Sequence, residues 1–398
     1  MDNLENIGIK YFDTFNLSGK LFEREEDFIV QEIEENGEIL SVEKTDGNIP
    51  KDKKDFLTFT LVKRGVSTPE AVKSLSRNLH ISFKRIAYNG NKDKRALTSQ
   101  KMSIFKFDAE NLKFSTDRIF IRDLAYSNDP CKIGKLYGNH FTVKVRDFND
   151  NNKDLNKLKE EIIKGIPNFY GPQRFGSSSL NIEVSKSILK KDFKTAFFLL
   201  VLKERAESKL NAYKRKGLRE TINLDDTNNL DREKIKEVLA SLPGFMYFEK
   251  ESIAYLLEHK NDYAGAIRLM PKYSRLIILQ AFQYYVFNQT LSELLKEGYD
   301  EIPGDIPTIG YDMLLDEKFE TIINGILERE GIGRDMFKIS SMPEASLKSF
   351  KHPSMFFPED FSIKEEGGDA IITFNLKKGS YATILLIKLF GEAVYKSS

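Results

Sequence analysis

Asn89-Gly90-Asn91-Lys92-Asp93-Lys94-Arg95-Ala96-Leu97-Thr98-Ser99-Gln100 sets one carboxylate, Asp93, among Lys92, Lys94 and Arg95. Cations that close favour the ionised form of an acid, so Asp93 is expected to be an anion and a potential nucleophile. The same cations, Lys92 among them, would attract a polyanionic substrate. Asn89-Gly90 is also a turn signal, and in isolation the segment reads as a solvated basic loop. The rest of the chain decides between the two.

At 398 residues the chain exceeds one ordinary core, and two domains are expected. Its 40% hydrophobic and 30% charged residues fit a globular protein in water. The start, Met1-Asp2-Asn3-Leu4-Glu5, lacks the basic and apolar regions of a signal peptide. The longest purely apolar run, residues 196–202, is far too short to span a bilayer. The expectation is a cytoplasmic protein with no membrane partner. A single cysteine, Cys131, excludes an intrachain disulfide, and His80, His140, His259 and His352 are scattered without ligand spacing, so no metal is expected.

Net charge is only +1, so any nucleic-acid site must come from local segregation of charge. Residues 84–101 supply it, with Lys84, Arg85, Lys92, Lys94, Arg95 and Lys101 against Asp93 alone, while the acidic residues 23–38 offset it elsewhere. A second basic stretch holds Lys203, Arg205, Lys209, Lys214, Arg215, Lys216 and Arg219 against Glu204, Glu207 and Glu220. It reads equally well as a solvated helix face.

Short alternating segments, residues 27–33, 56–62 and 141–146, predict strands, with Phe141, Val143 and Val145 on one face. Thr68-Pro69-Glu70 predicts a helix start with Thr68 as cap, and Val72, Leu75 and Leu79 follow at helical spacing. Helical runs are predicted over 192–215, 231–242, 251–259, 274–296 and 317–330, with a polar break at 223–231. A strand over 370–376, a Lys378-Gly379 turn and a helix over 381–390 close the pattern. Mixed, helical, then mixed again predicts an α/β (α+β) fold with a helical domain inserted into a mixed-sheet parent. The expected domains are residues 1–185 with 346–398, and the insertion 186–345.

With the Asp93 segment, the later motifs make the chain resemble the TruD family of tRNA pseudouridine synthases. Gly90, Lys92, Asp93, Ala96, Thr98 and Gln100 fit the family's G-x-K-D-x-x-A-x-T-x-Q signature, in which the aspartate is catalytic. Asp27-Phe28, Val30 and Glu32 resemble its D-F-x-V-x-E strand, and residues 132–141 the strand before its middle region. Residues 168–176, Asn-Phe-Tyr-Gly-Pro-Gln-Arg-Phe-Gly, are close to N-x-F-G-x-Q-R-F-G. Residues 279–283 with Phe287-Asn288 resemble a helix of the family's insertion, and Leu376 with residues 379–383 its C-terminal strand and turn.

The resemblance implies isomerisation of uridine to pseudouridine in tRNA, usually at position 13, without cofactor or metal. The chemistry needs uracil out of its stack before the glycosidic bond is cut and remade at C5. Asp93 would attack C6 of uracil or C1′ of the ribose, or assist elimination. Tyr170 and Phe175 are candidates for the flat wall of a flipped-base pocket. Asn168 would hold the catalytic loop or bond the nucleotide, and Arg174 would hold a phosphate or pair with a carboxylate.

The chain departs from the family at Phe22, where relatives often carry a basic residue; Lys20, two residues away, is the candidate replacement. Tyr170 stands where phenylalanine is common. Ser346, Lys348, Lys351 and His352 are further candidate phosphate contacts. An N-K-x-D base-recognition reading of Asn91-Lys92-Asp93 fails on spacing, and no phosphate-loop motif accompanies it. The stronger rival is a tRNA-binding or RNA-folding protein without chemistry. With no repeat or heptad pattern, a monomer is expected.

Overall fold

In a computed structural model of the protein, which describes residues 4–44, 49–205, 207–222, 231–298, 302–314 and 316–396, the alternating stretches are strands and the 3.6-periodic ones helices. The chain divides into two compact units. The strand-rich unit is Asp13–Asn168 with Met355–Ser398, and the helical unit is Met1–Phe12 with Phe169–Ser354. These divisions fall at 168/169 and 354/355, against the expected 185/186 and 345/346, and residues 4–12 pack with the helices.

In chain order the strand unit has β1 (Ser18–Lys20), β2 (Phe28–Ile33), β3 (Phe56–Arg64), α1 (Thr68–Asn78), β4 (Ile86–Tyr88), β5 (Leu97–Phe105), β6 (Ile119–Ser127), β7 (Gly138–Asn149), α2 (Leu155–Ile163) and β8 (Ile166–Pro167). The helical unit has α3 (Leu180–Leu189), α4 (Phe193–Phe197), α5 (Lys209–Thr221), α6 (Arg232–Ala240), α7 (Tyr247–Glu258), α8 (Tyr263–Arg268), α9 (Lys272–Lys296), β9 (Asp305–Thr308), α10 (Glu317–Glu330) and β10 (Phe350–Pro353). The strand unit resumes with β11 (Met355–Phe356), β12 (Glu359–Glu366), β13 (Asp369–Lys377) and α11 (Ala382–Phe390).

The sheet order is β12-β13-β7-β2-β5-β3-β6, with β1 on β7 and β4 on β5. β2 and β5 run parallel while the other pairings are antiparallel, so the sheet is mixed. Phe141, Val143 and Val145 are all buried, as the alternation of β7 requires. Cross-strand aromatic stacking joins Phe28, Phe141 and Phe374, with ring centroids 6.0 and 5.0 Å apart. Gly138 opens β7 beside β13, where a Cβ would lie 2.1 Å from the Leu376 carbonyl oxygen.

Helix α1 buries Val72 and Leu75 against Leu57, Phe59 and Leu61 of β3. Its cap is Ser67 rather than the expected Thr68. The Ser67 hydroxyl accepts the Glu70 amide and the Glu70 carboxylate accepts the Ser67 amide, a reciprocal capping box. The Thr68 hydroxyl is committed elsewhere, as shown below.

In the helical unit α9 runs for 25 residues, and Leu279, Phe282, Val286 and Phe287 on it are buried. The run expected over 192–215 is broken: α4 passes into a π turn, Phe198–Leu202, and helix resumes only after Ser208 caps α5. The Val201 carbonyl instead accepts the buried Arg215 guanidinium at 2.6 Å. Arg215 also meets Glu207 at 2.8 Å and Glu249 at 2.9 Å, so part of the second basic stretch is an interior ion-pair cluster. Of the expected polar break, 223–230 lie outside the described residues, and Asp231 caps α6.

Candidate active site

The Asp93 loop joins β4 to β5, and residues on three sides fix its backbone. On one side, Glu32 at the end of β2 is fully buried and pairs with the Lys92 ammonium at 2.8 Å. Asn89 Nδ2 donates to the same carboxylate at 2.8 Å. On a second side, Asn89 Oδ1 accepts the Lys132 amide at 3.2 Å and the Asn89 carbonyl accepts the Gly134 amide at 2.7 Å. On the third, the Thr68 hydroxyl accepts the Lys92 amide at 3.0 Å and donates to Gln100 Oε1 at 2.9 Å, while Gln100 Nε2 donates to the Gly90 carbonyl at 3.1 Å. The β2, Asp93 and 132–141 motifs therefore meet in one hydrogen-bonded network. Parallel pairing of β2 with β5 is what carries Glu32 to the loop.

One member of this site was missed in the sequence. Lys63 on β3 is wholly buried, and its ammonium donates to the Asp93 carbonyl at 2.7 Å and to the Lys92 carbonyl at 3.2 Å. Its signal lies in β3 itself: Leu57, Phe59 and Leu61 set an inward parity that Lys63 continues. Burial pushes the Lys63 ammonium down to about 8, against the attraction of Asp93 and with repulsion from Lys92.

The electrostatics of Asp93 correct the expectation of a carboxylate held ionised by its loop cations. Burial raises its pKa above the usual carboxylate value, outweighing Lys63, a backbone hydrogen bond and Lys92. Lys94 is turned to Glu70 at 2.9 Å on the surface, and Arg95 is exposed. Lys92 is an interior strut whose ammonium is held by Glu32. Lys20 sits on the short strand β1 and pairs with exposed Asp147 at 2.6 Å, while Phe22 packs edge-on against Phe28. The cations acting on Asp93 are thus Lys63 and Lys92, and Lys20 is not among them.

Asn168, the last residue of this part of the strand unit, is buried. In the helical unit, Asn288 on α9 grips the backbone of Tyr170, accepting its amide at 2.9 Å and donating to its carbonyl at 3.0 Å. The same amide group donates to the Ile7 carbonyl at 2.9 Å. The Tyr170 ring lies between Tyr284, with centroids 4.0 Å apart, and His352 at 4.5 Å, and both pairs are stacked. The Arg174 guanidinium lies over the outer partner, Tyr284, at 5.9 Å. The expected bare aromatic wall is therefore covered: both faces of Tyr170 are occupied, and Phe175 is 0% exposed. His352, expected as a phosphate contact, is a buried stacking ring, and Ser346 accepts the Ile339 amide at 3.0 Å. Lys348 and Lys351 are exposed.

Among the described residues no cluster of three or more His, Cys, Asp or Glu stands in an arrangement fit for a metal ion. Among the same residues no helix is long and apolar enough to cross a membrane.

The family model for tRNA pseudouridine synthase D (TruD) matches residues 6–308 and 305–389. The chain belongs to the TruD family. A Methanococcus maripaludis protein named "Probable tRNA pseudouridine synthase D 2" is 30% identical over 403 residues, covering 97% of this chain and 99% of its own length. A TruD relative from Nanoarchaeum equitans is 29% identical over 358 residues, 85% of this chain and 88% of its own. The crystal structure of the TruD protein of Methanosarcina mazei superposes with a TM-score of 0.73 at 28% identity and 97% coverage of both chains. The TruD match thus extends over both units.

Proposed function

We infer that this protein isomerises uridine to pseudouridine in tRNA, at position 13, with Asp93 as the nucleophile on a flipped-out uridine. The observation that carries the reading is the family match from residue 6 to residue 389, which includes the fixed Asp93 loop. The strand unit would carry the chemistry and the helical unit would be the family's insertion. Asn168 and Arg174 would contact the nucleotide, Arg174 as a phosphate ligand. Tyr170 and Phe175 would shape the uracil pocket, and a base stacking on Tyr170 would first displace Tyr284 or His352. Lys92 and Lys20 would act on RNA only through the general field, since each already has an acidic partner. The protein would act in the cytoplasm as a monomer.

Catalysis would follow from a carboxylate partly shielded from water on a loop whose backbone is held. Desolvation strengthens its attraction for an electron-poor carbon and removes competing water, while the held backbone saves the cost of orienting it. The test is nucleotide-resolution mapping of pseudouridine in unmodified tRNA incubated with wild type and with Asp93→Asn. A signal at one uridine that disappears in the variant, with tRNA binding retained, supports the reading. Binding without any product on a full set of tRNAs would favour a passive RNA-binding protein.

A further inference from the structure

We propose that Lys63 is a positioning residue for the reaction: through its bonds to the Asp93 and Lys92 carbonyls, its ammonium fixes the direction of the Asp93 side chain and supplies the charge that opposes it. The proposal rests on the reading of Asp93 as nucleophile. Its ground is the unusual use of a buried lysine. A charged side chain in a wholly buried position is costly unless paired, and hydrophobic substitution at such positions is often tolerated or favourable. Yet Lys63 lies in a strand whose inward positions are Leu57, Phe59 and Leu61, where an aliphatic residue would pack without that cost. Its ammonium donates to the carbonyls of the two peptides that flank the Asp93 Cα, those of Lys92 and Asp93. The neighbouring cations are turned elsewhere: Lys92 is drawn to Glu32, Lys94 to Glu70 and Lys20 to Asp147.

Rotation of either peptide flanking Asp93 would swing its Cα–Cβ bond, and an ångström of misplacement at a reacting atom can cost about 100-fold in rate. Two bonds from one ammonium resist that rotation. The charged groups facing Lys63 are Asp93 and Glu70, which favour its protonated form, and Lys92, which opposes it. Because burial brings the ammonium down to about 8, the opposing charge is present at neutral pH and lost in the alkaline range.

The test compares wild type, Lys63→Met and Lys63→Arg, each first shown to be folded by thermal denaturation. Lys63→Met keeps the length of the side chain and removes charge and donors. It is expected to lower kcat by about 100-fold while KM for tRNA stays within about 3-fold. Lys63→Arg keeps a charge that does not titrate, so it should recover part of the lost kcat and abolish the alkaline decline expected of wild type. Hydrogen exchange over residues 89–97 supplies a readout independent of turnover, and Lys63→Met should raise it there and not elsewhere in the sheet. Wild type without activity, together with loosened exchange in Lys63→Met, would defeat the enzymatic reading while keeping the loop-holding role. A Lys63→Met enzyme within about 3-fold of wild-type kcat, or with unchanged exchange over the loop, would overturn the proposal. So would an alkaline decline that persists unchanged in Lys63→Arg.

Discussion

Glu32 and Lys92 form an ion pair of 2.8 Å in which neither side chain is more than 4% exposed. Breaking such a pair leaves a charge stranded in the interior. Glu32→Ala is expected to cost about 3–5 kcal/mol of folding stability, and adding Lys92→Met should recover much of it. Chemical denaturation of the four-member cycle measures both quantities, and a single-variant loss below about 1 kcal/mol would remove this pair as the strut of the loop.

Asn288→Ala deprives the Tyr170 amide and carbonyl and the Ile7 carbonyl of their partner at once. Buried backbone groups left unmet make this change expensive, about 2–4 kcal/mol, read as a lower midpoint in urea at unchanged slope. A change at the surface-exposed Lys272 on the same helix should be nearly silent in comparison.

Asp93 should be a stability liability. Its folded pKa is raised above its ordinary value of 3.8, so ionisation subtracts stability in full at pH above the folded pKa, and the subtraction shrinks as pH falls from there towards 3.8 and is gone below it. Asp93→Asn is therefore expected to melt higher than wild type at neutral pH and to converge with it in acid. A variant that melts lower at neutral pH would contradict this sign.

Residues 13–168 expressed alone should not unfold cooperatively. β7 would lose its partner β13 along eight registered positions, from Ala370↔Val145 to Lys377↔Gly138, and the apolar helix α11 would be missing. Calorimetry of the fragment and of the full chain decides the matter, since a sharp transition in the fragment would show that the sheet closes without its last strands.

The periodic elements were legible in the sequence because their cause is local. The face shared by Phe141, Val143 and Val145 and the helix over 317–330 follow from spacing alone. So was the Asp93 loop, whose charges stand side by side in the chain. Lys63 was not, since only the pairing of β3 with β5, with Lys63 opposite Thr98, brings it to the loop. The cap of α1 moved to Ser67 because the Thr68 hydroxyl answers to Lys92 and Gln100, partners distant in sequence. The unit boundaries escaped for a similar reason. Composition marks where helices begin, but residues 4–12 join the helical unit through contacts such as that of the Ile7 carbonyl with Asn288, 281 positions away.

The strands β8 and β11 pair antiparallel, Met355 opposite Pro167 and Phe356 opposite Ile166. The chain thus departs from the strand-rich unit and comes back to it at adjacent points, on a small two-stranded sheet of their own. A gene segment encoding residues 169–354 could be lengthened, shortened or exchanged over evolutionary time without shifting the register of the strands in the main sheet, with residues 4–12 changing alongside it. Sequence diversity can accumulate in that segment while the sheet next to the Asp93 loop stays constant.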